Sequence, residues 1–147
     1  MASTYSFESV HASLVGPTGV INLGYGAAVA AEGITISMAG EKNKMTMGAD
    51  GRGMHSLMAD KSAVVTVRLL QTSPINAQLM VAYDAQTINP ALHGQNTIVI
   101  TQKQSGDVTT CQQCAFKKKP EVNYKQEGQT YEWTFDSIIT DTILGTY

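Results

Sequence analysis

Cys111 and Cys114 form a C-x-x-C spacing, which serves zinc ligation or dithiol redox chemistry when other ligands support it. A structural zinc site takes four ligands, and here there is no second cysteine pair, while His11, His55 and His93 stand isolated. Residues 108–116 read as a strand, and residues three apart on a strand point to opposite faces. The pair is therefore expected to be two small sheet residues, with no metal and no cofactor. No H-E-x-x-H, no G-x-S-x-G elbow, no G-x-x-x-x-G-K-[ST] loop and no G-x-G-x-x-G turn occurs. Asp and Glu are scattered singly, so nothing selects an acid and a base, and the chain does not read as an enzyme. Lys117-Lys118-Lys119 is the single charge run, expected to be a solvated strand end whose charge discourages unwanted pairing.

The sulfur that stands out is methionine. Five of the seven Met residues lie between Met38 and Met58, in a stretch that also holds Gly40, Gly48, Gly51 and Gly53. About two dozen residues make a long structureless loop for a compact domain. An extended excursion tipped by Asp50-Gly51-Arg52-Gly53 is expected. Met fills irregular apolar gaps and adaptable contact surfaces, so Met45, Met47, Asp50, Arg52, Met54 and Met58 are candidates for an arm that packs on a neighbouring copy. An arm folded back onto its own sheet is the alternative.

The surrounding elements read as mainly β. Thr4–Val15 and Val20–Leu23 flank a Gly16-Pro17-Thr18-Gly19 turn and predict a hairpin. Gly24 to Ala31 reads as a connection running close against another backbone. Ile34–Met38 alternates at period two, as do Ala63–Leu70, Thr97–Thr101, Val108–Phe116, Val122–Lys125 and Thr130–Ile138 in varying degree. In the last, Tyr131, Trp133 and Phe135 share one face, while Thr130, Glu132, Thr134 and Asp136 share the other. One helix is expected over about 74–86: Ser73 caps it, Pro74 starts it, and Ile75, Leu79, Ala82, Tyr83 and Gln86 form an apolar stripe. Many short strands and one helix imply a β-sandwich or barrel with a flanking helix, in a single domain over 1–147.

Composition narrows the partners. The 147 residues carry 10 Lys plus Arg and 12 Asp plus Glu, so 22 side chains, or 15%, are charged, against about 25% in a typical domain. The net charge of −2 argues against general affinity for nucleic acid, which needs a basic face. The start of the chain has no basic residues followed by an apolar block, and the longest uncharged stretch holds His11, Asn22 and a Gly-Pro turn. Neither a signal peptide nor a membrane span is expected, and the chain reads as cytoplasmic.

Several segments carry a resemblance: Glu32-Gly33-Ile34-Thr35-Ile36, Glu41-Lys42-Asn43-Lys44 running into Met45-Thr46-Met47-Gly48-Ala49-Asp50-Gly51, and Val64 to Leu70 leading into Thr72-Ser73-Pro74-Ile75-Asn76. Leu92-His93-Gly94-Gln95-Asn96, Trp133-Thr134-Phe135-Asp136 and Asp141-Thr142-Ile143-Leu144-Gly145 continue it. Over nearly its whole length the chain resembles the tail tube proteins of long-tailed bacteriophages, contractile ones in particular. The resemblance implies a homo-hexameric ring, rings stacked into a hollow tube in the virion tail after assembly in the host cytoplasm, and sheath, tape-measure, baseplate and terminator proteins as partners. It implies that DNA passes through the lumen without specific binding, so small neutral or acidic side chains should line it. Thr35, Ser37, Thr130, Glu132, Thr134 and Asp136 are the candidates. A secretion-system tube or a baseplate adaptor is the nearest alternative. A small-ligand β-barrel or a hydrolase using His93 or His55 is a more distant one.

Overall fold

The computed structural model describes residues 3–147. Seven strands form one antiparallel sheet that curls into a half-barrel. In chain order they are β1 (Val10–Gly16), β2 (Gly19–Asn22), β3 (Val29–Met38), β6 (Ala63–Leu70), β7 (Asn96–Gln102), β8 (Asp107–Lys118) and β9 (Thr130–Ile143). Two more, β4 (Asn43–Met47) and β5 (Gly53–Leu57), pair only with each other. The spatial order β2-β1-β7-β8-β9-β6-β3 leaves β2 and β3 as the two edges. The mainly β expectation with one flanking helix holds, and the barrel is realised as a single curled sheet.

Period-two alternation determines which face is buried. Val65, Val67 and Leu69 point inward from β6, Trp133 and Phe135 from β9, and Leu14 and Ile98 from β1 and β7. The helix α1 (Ile75–Ile88) covers this face with Ile75, Leu79 and Ala82. Pro74, expected as the first helical residue, is instead the cap, and Ser73 stands one place before it; the Ser73 hydroxyl still accepts from the Ile75 N–H at 3.3 Å and donates to the Ala27 carbonyl at 2.7 Å. Gln86, the polar member of the stripe, is fully buried and exchanges hydrogen bonds with the Asn96 amide at 2.9 and 2.5 Å. That reciprocal pair satisfies both amides and ties α1 to β7. Among the described residues no helix is long and apolar enough to cross a membrane.

The connection after β2 does run against backbone. A Cβ on Gly24 would lie 2.6 Å from the Ala12 nitrogen and 2.9 Å from the Val10 carbonyl oxygen, because Leu23 and Tyr25 donate to Ala12 and Val10. Gly24→Ala is expected to destabilise the domain by about 1–3 kcal/mol, since backbone cannot yield as a flexible side chain would. Urea unfolding of the variant against the parent measures it.

Four expectations are corrected. Residues 4–9 are not part of the first strand: Phe7–Ser9 form a 3-10 turn whose start is capped by Ser6, and β1 begins at Val10. The connection from Gly24 ends at Ala28, with Val29 already in β3. Val122–Lys125 is no strand, because no neighbour offers a ladder there and Val122 and Tyr124 stand exposed. Conversely, β9 continues past Ile138 to Ile143 because β8 pairs with it as far as Val108.

The fifth correction concerns the cysteines. Cys111 and Cys114 do not face opposite ways: both are fully buried. Between them Gln113 takes a left-handed backbone conformation with φ 53°, and β8 gains one residue relative to β7. The facing strand makes the same three-residue step, since Ser137 and Thr140 are both buried. The extra residue of β8 is a bulge against β7, while β8 and β9 keep their register across the step, so both strands present an inward face on either side of it.

Candidate assembly surfaces

A cleft of about 520 Å³ opens between the termini, β3 and the β7–β8 turn, lined by Phe7, Val29, Ile34, Ile36, Ile100 and Tyr147 among others. None of the three histidines lines it. His55 sits on β5 and His93 in the loop after α1, both exposed. Of its two carboxylates, Asp107 accepts from the Gly145 N–H at 2.6 Å. No three metal-ligating side chains converge among the described residues. The cysteine thiols are poor nucleophiles: burial pushes Cys111 up, and burial likewise pushes Cys114 to about 11. The Cys114 thiol instead donates to the Cys111 carbonyl at 3.2 Å.

The six residues expected along a lumen fall together. In register, Thr35 faces Thr66 and Thr66 faces Thr134, while Ser37 faces Val64 and Val64 faces Asp136. Glu132 and Thr130 oppose Arg68 and Leu70. All six therefore lie on one face of β3-β6-β9, the outer face of the half-barrel. Thr35, Ser37, Thr130, Glu132 and Asp136 are exposed, whereas Thr134 is only 8% exposed. Arg68, which composition alone did not single out, neutralises the face: its guanidinium lies 3.6 Å from the Glu132 carboxylate and donates to the Thr35 hydroxyl at 3.0 Å. Lys118 joins the face beside Thr134. Its polarity is mixed and its net charge small.

The arm residues form a separate unit. Lys42 and Met58 close it with a 2.8 Å backbone hydrogen bond, and the β4–β5 ladder runs outward from there. Asp50 shapes the tip by accepting from the Arg52 N–H at 3.2 Å, and Gly51 supplies the left-handed φ of 86°. The Asp50–Arg52 ion pair at 3.9 Å is fully in solvent and adds little. Register places Met45 across from His55, Met47 across from Gly53, and Asn43 across from Leu57, so one face carries Met45, Met47 and Leu57; Met54 lies on the other, across from Thr46. Met45, Met47, Met54 and Leu57 are 60%, 55%, 59% and 87% exposed, and Met58 at the base is half-buried. The hairpin does not fold back onto its own sheet.

One sheet edge adds to this. Strand β3 pairs on one side only, with β6, and holds one charged residue, Glu32, and neither Lys nor Pro among its ten residues. Its irregularity falls between Val29 and Ile34, beside Glu32, whereas Ile34–Met38 beyond it is regular, uncharged and open to pairing with another chain.

The same fold occurs in solved structures. Chains of two particles each match at TM-score 0.60: the sheath/tube terminator of an extracellular contractile injection system, PVC, in its extended state, at 14% identity with 97% of this chain and 98% of that one covered, and the tail of an empty GTA particle with C6 symmetry, at 10% identity with 98% and 99% covered. A chain of the PVC sheath-tube complex in its extended state matches at TM-score 0.58 and 10% identity, covering 98% and 93%. No curated protein sequence matches. Residues 1–145 match the family described as bacteriophage PhiTE tail tube protein. With that match over almost its whole length, the chain belongs to this phage tail tube family and is a tail tube-type structural protein.

Proposed function

We propose that the chain is the repeating subunit of a phage tail tube: six copies close a ring, and rings stack into a hollow tube through which the genome passes. The observation that supports this most is the β4–β5 hairpin, an apolar, Met-rich arm held clear of its own domain. A free monomer gains nothing by exposing it. Docked on a copy in the same or the next ring, it buries those thioethers and Leu57. Pairing of the β3 edge with a neighbour continues the sheet from subunit to subunit, so that half-barrels become segments of one closed wall. Contacts within a ring close by rotation, and contacts between rings remain open and propagate.

In this arrangement the outer face of β3-β6-β9, with Thr35, Ser37, Thr130, Glu132, Thr134 and Asp136, lines the channel. Its mixed, nearly balanced charge offers phosphate no continuous basic track. Sheath, tape-measure, baseplate and terminator proteins are the partners, and the virion tail is the location. Negative-stain microscopy of purified protein tests the reading: long hollow tubes or six-fold rings support it, and a monodisperse monomer at all concentrations overturns it. Asp136→Cys tests the channel assignment, because both native thiols are buried. In assembled tubes the new thiol is expected to react with a small maleimide and to resist one coupled to a large dextran. Equal reaction with both would put this face on the outside.

A further inference from the structure

The sulfur-bearing side chains among the described residues range from fully buried to well exposed. Both cysteines lie in the core with no exposure, and burial holds them as thiols, so the form that reacts with peroxides is suppressed. Met58 and Met80 are half-buried, Met80 against the core. Met38, at the root of the arm, is 48% exposed. Among the described residues the most exposed methionines are Met45, Met47 and Met54, on the two faces of one hairpin.

We propose that Met45, Met47 and Met54 form an oxidative modification site, and that their conversion to sulfoxides by a hydroperoxide stops the free subunit from joining a tube. A thioether lone pair attacks the terminal peroxide oxygen, the S–O bond forms as the O–O bond breaks, and the proton of the transferred oxygen passes to the departing oxygen, which leaves as water or an alcohol. Sulfur is oxidised by two electrons and the peroxide reduced by two. Each flexible apolar side chain becomes a polar one that must be desolvated on docking. Because Met54 lies on the face opposite Met45 and Met47, whichever side of the hairpin docks is affected. Subunits already in a tube are protected, since docking buries the same sulfurs. This inference rests on the reading of the hairpin as an inter-subunit arm.

The test treats free subunits with hydrogen peroxide, locates added oxygen by peptide mass spectrometry, and measures tube mass by sedimentation. The expected result is oxidation first at Met45, Met47 and Met54, with a roughly tenfold or greater fall in tube mass. Methionine sulfoxide reductases with a thiol reductant should restore assembly. The Met45→Leu, Met47→Leu, Met54→Leu variant keeps apolar volume without sulfur and should assemble equally with and without peroxide. Oxidation falling first on the cysteines or Met80, undiminished assembly of protein oxidised at the three sites, or failure of enzymatic repair overturns the proposal. A subunit lacking the hairpin separates the two claims. If it assembles normally, the arm reading fails; if it cannot assemble while the oxidised parent can, the oxidation site alone fails.

Discussion

Replacing residues 43–57 by Asn-Gly should abolish tube growth while leaving the monomer's melting temperature within about 2 °C of the parent's. The first half of that expectation comes from the arm reading: without Met45, Met47, Met54 and Leu57 a neighbour loses its apolar contact. At about 25 cal/mol per Å² of apolar area, burial of several such side chains contributes several kcal/mol per interface, repeated at every subunit of a growing end. The second half comes from the ladder. The hydrogen bonds of β4 and β5 are made to each other, so their removal leaves no body strand unpaired. Lys42 and Met58 already close the neck, with the Met58 N–H donating to the Lys42 carbonyl at 2.8 Å, and a two-residue Asn-Gly turn fits across such a pair. Sedimentation and scanning calorimetry read the two halves separately. Tubes of ordinary length from the shortened chain would mean that the arm is not the device that joins subunits.

Trp133→Ala is the substitution with the largest expected effect on the domain itself, about 3–5 kcal/mol. Trp133 is fully buried on β9, meets the Phe116 ring edge-on at a centroid distance of 6.0 Å, and donates its indole N–H to the Asn76 side-chain oxygen at 3.1 Å. Asn76 in turn donates to the Leu70 carbonyl at 2.9 Å. Truncation thus opens a cavity under α1 and releases the bond that seats its first turn. Urea unfolding monitored by far-ultraviolet circular dichroism measures the loss, and a change below about 1 kcal/mol would show that the core collapses into the space. A variant this weakened also assembles poorly, so its tubes should be scored only at temperatures where the monomer is folded.

Much of this was legible in the sequence wherever local pattern and tertiary demand agree. Ala63–Leu70 alternates cleanly and is a strand with Val65, Val67 and Leu69 inward. The Ser73-Pro74 start and the stripe through Gln86 mark α1 to within two residues at its end. The hairpin at Asp50-Gly51 follows from turn chemistry. Val122–Lys125 misleads because its alternation is real but its partner is missing, and a strand exists only where another chain segment completes its hydrogen bonds. The outer face of β3-β6-β9 is legible as six polar residues but not as one surface, since register between distant strands is a tertiary property. Arg68, which pairs with Glu132 and Thr35 there, lies in an apolar run and gives no local signal of that role.

The matched three-residue steps in β8 and β9 bear on how this gene can change. Cys111 and Cys114 are inward on one strand, Ser137 and Thr140 on the other, and pairing resumes on either side of Gln113 and Ile138. Each strand thus holds one residue beyond strict alternation, at the same height. Losing Gln113 alone would slide everything beyond it by one place against β9 and turn the inward set outward. Loss of Ile138 alone would do the same from the other side. Losing both removes the matched pair together and restores the register of β8 with β9 at that height, so codon deletions that are damaging singly become mutual suppressors.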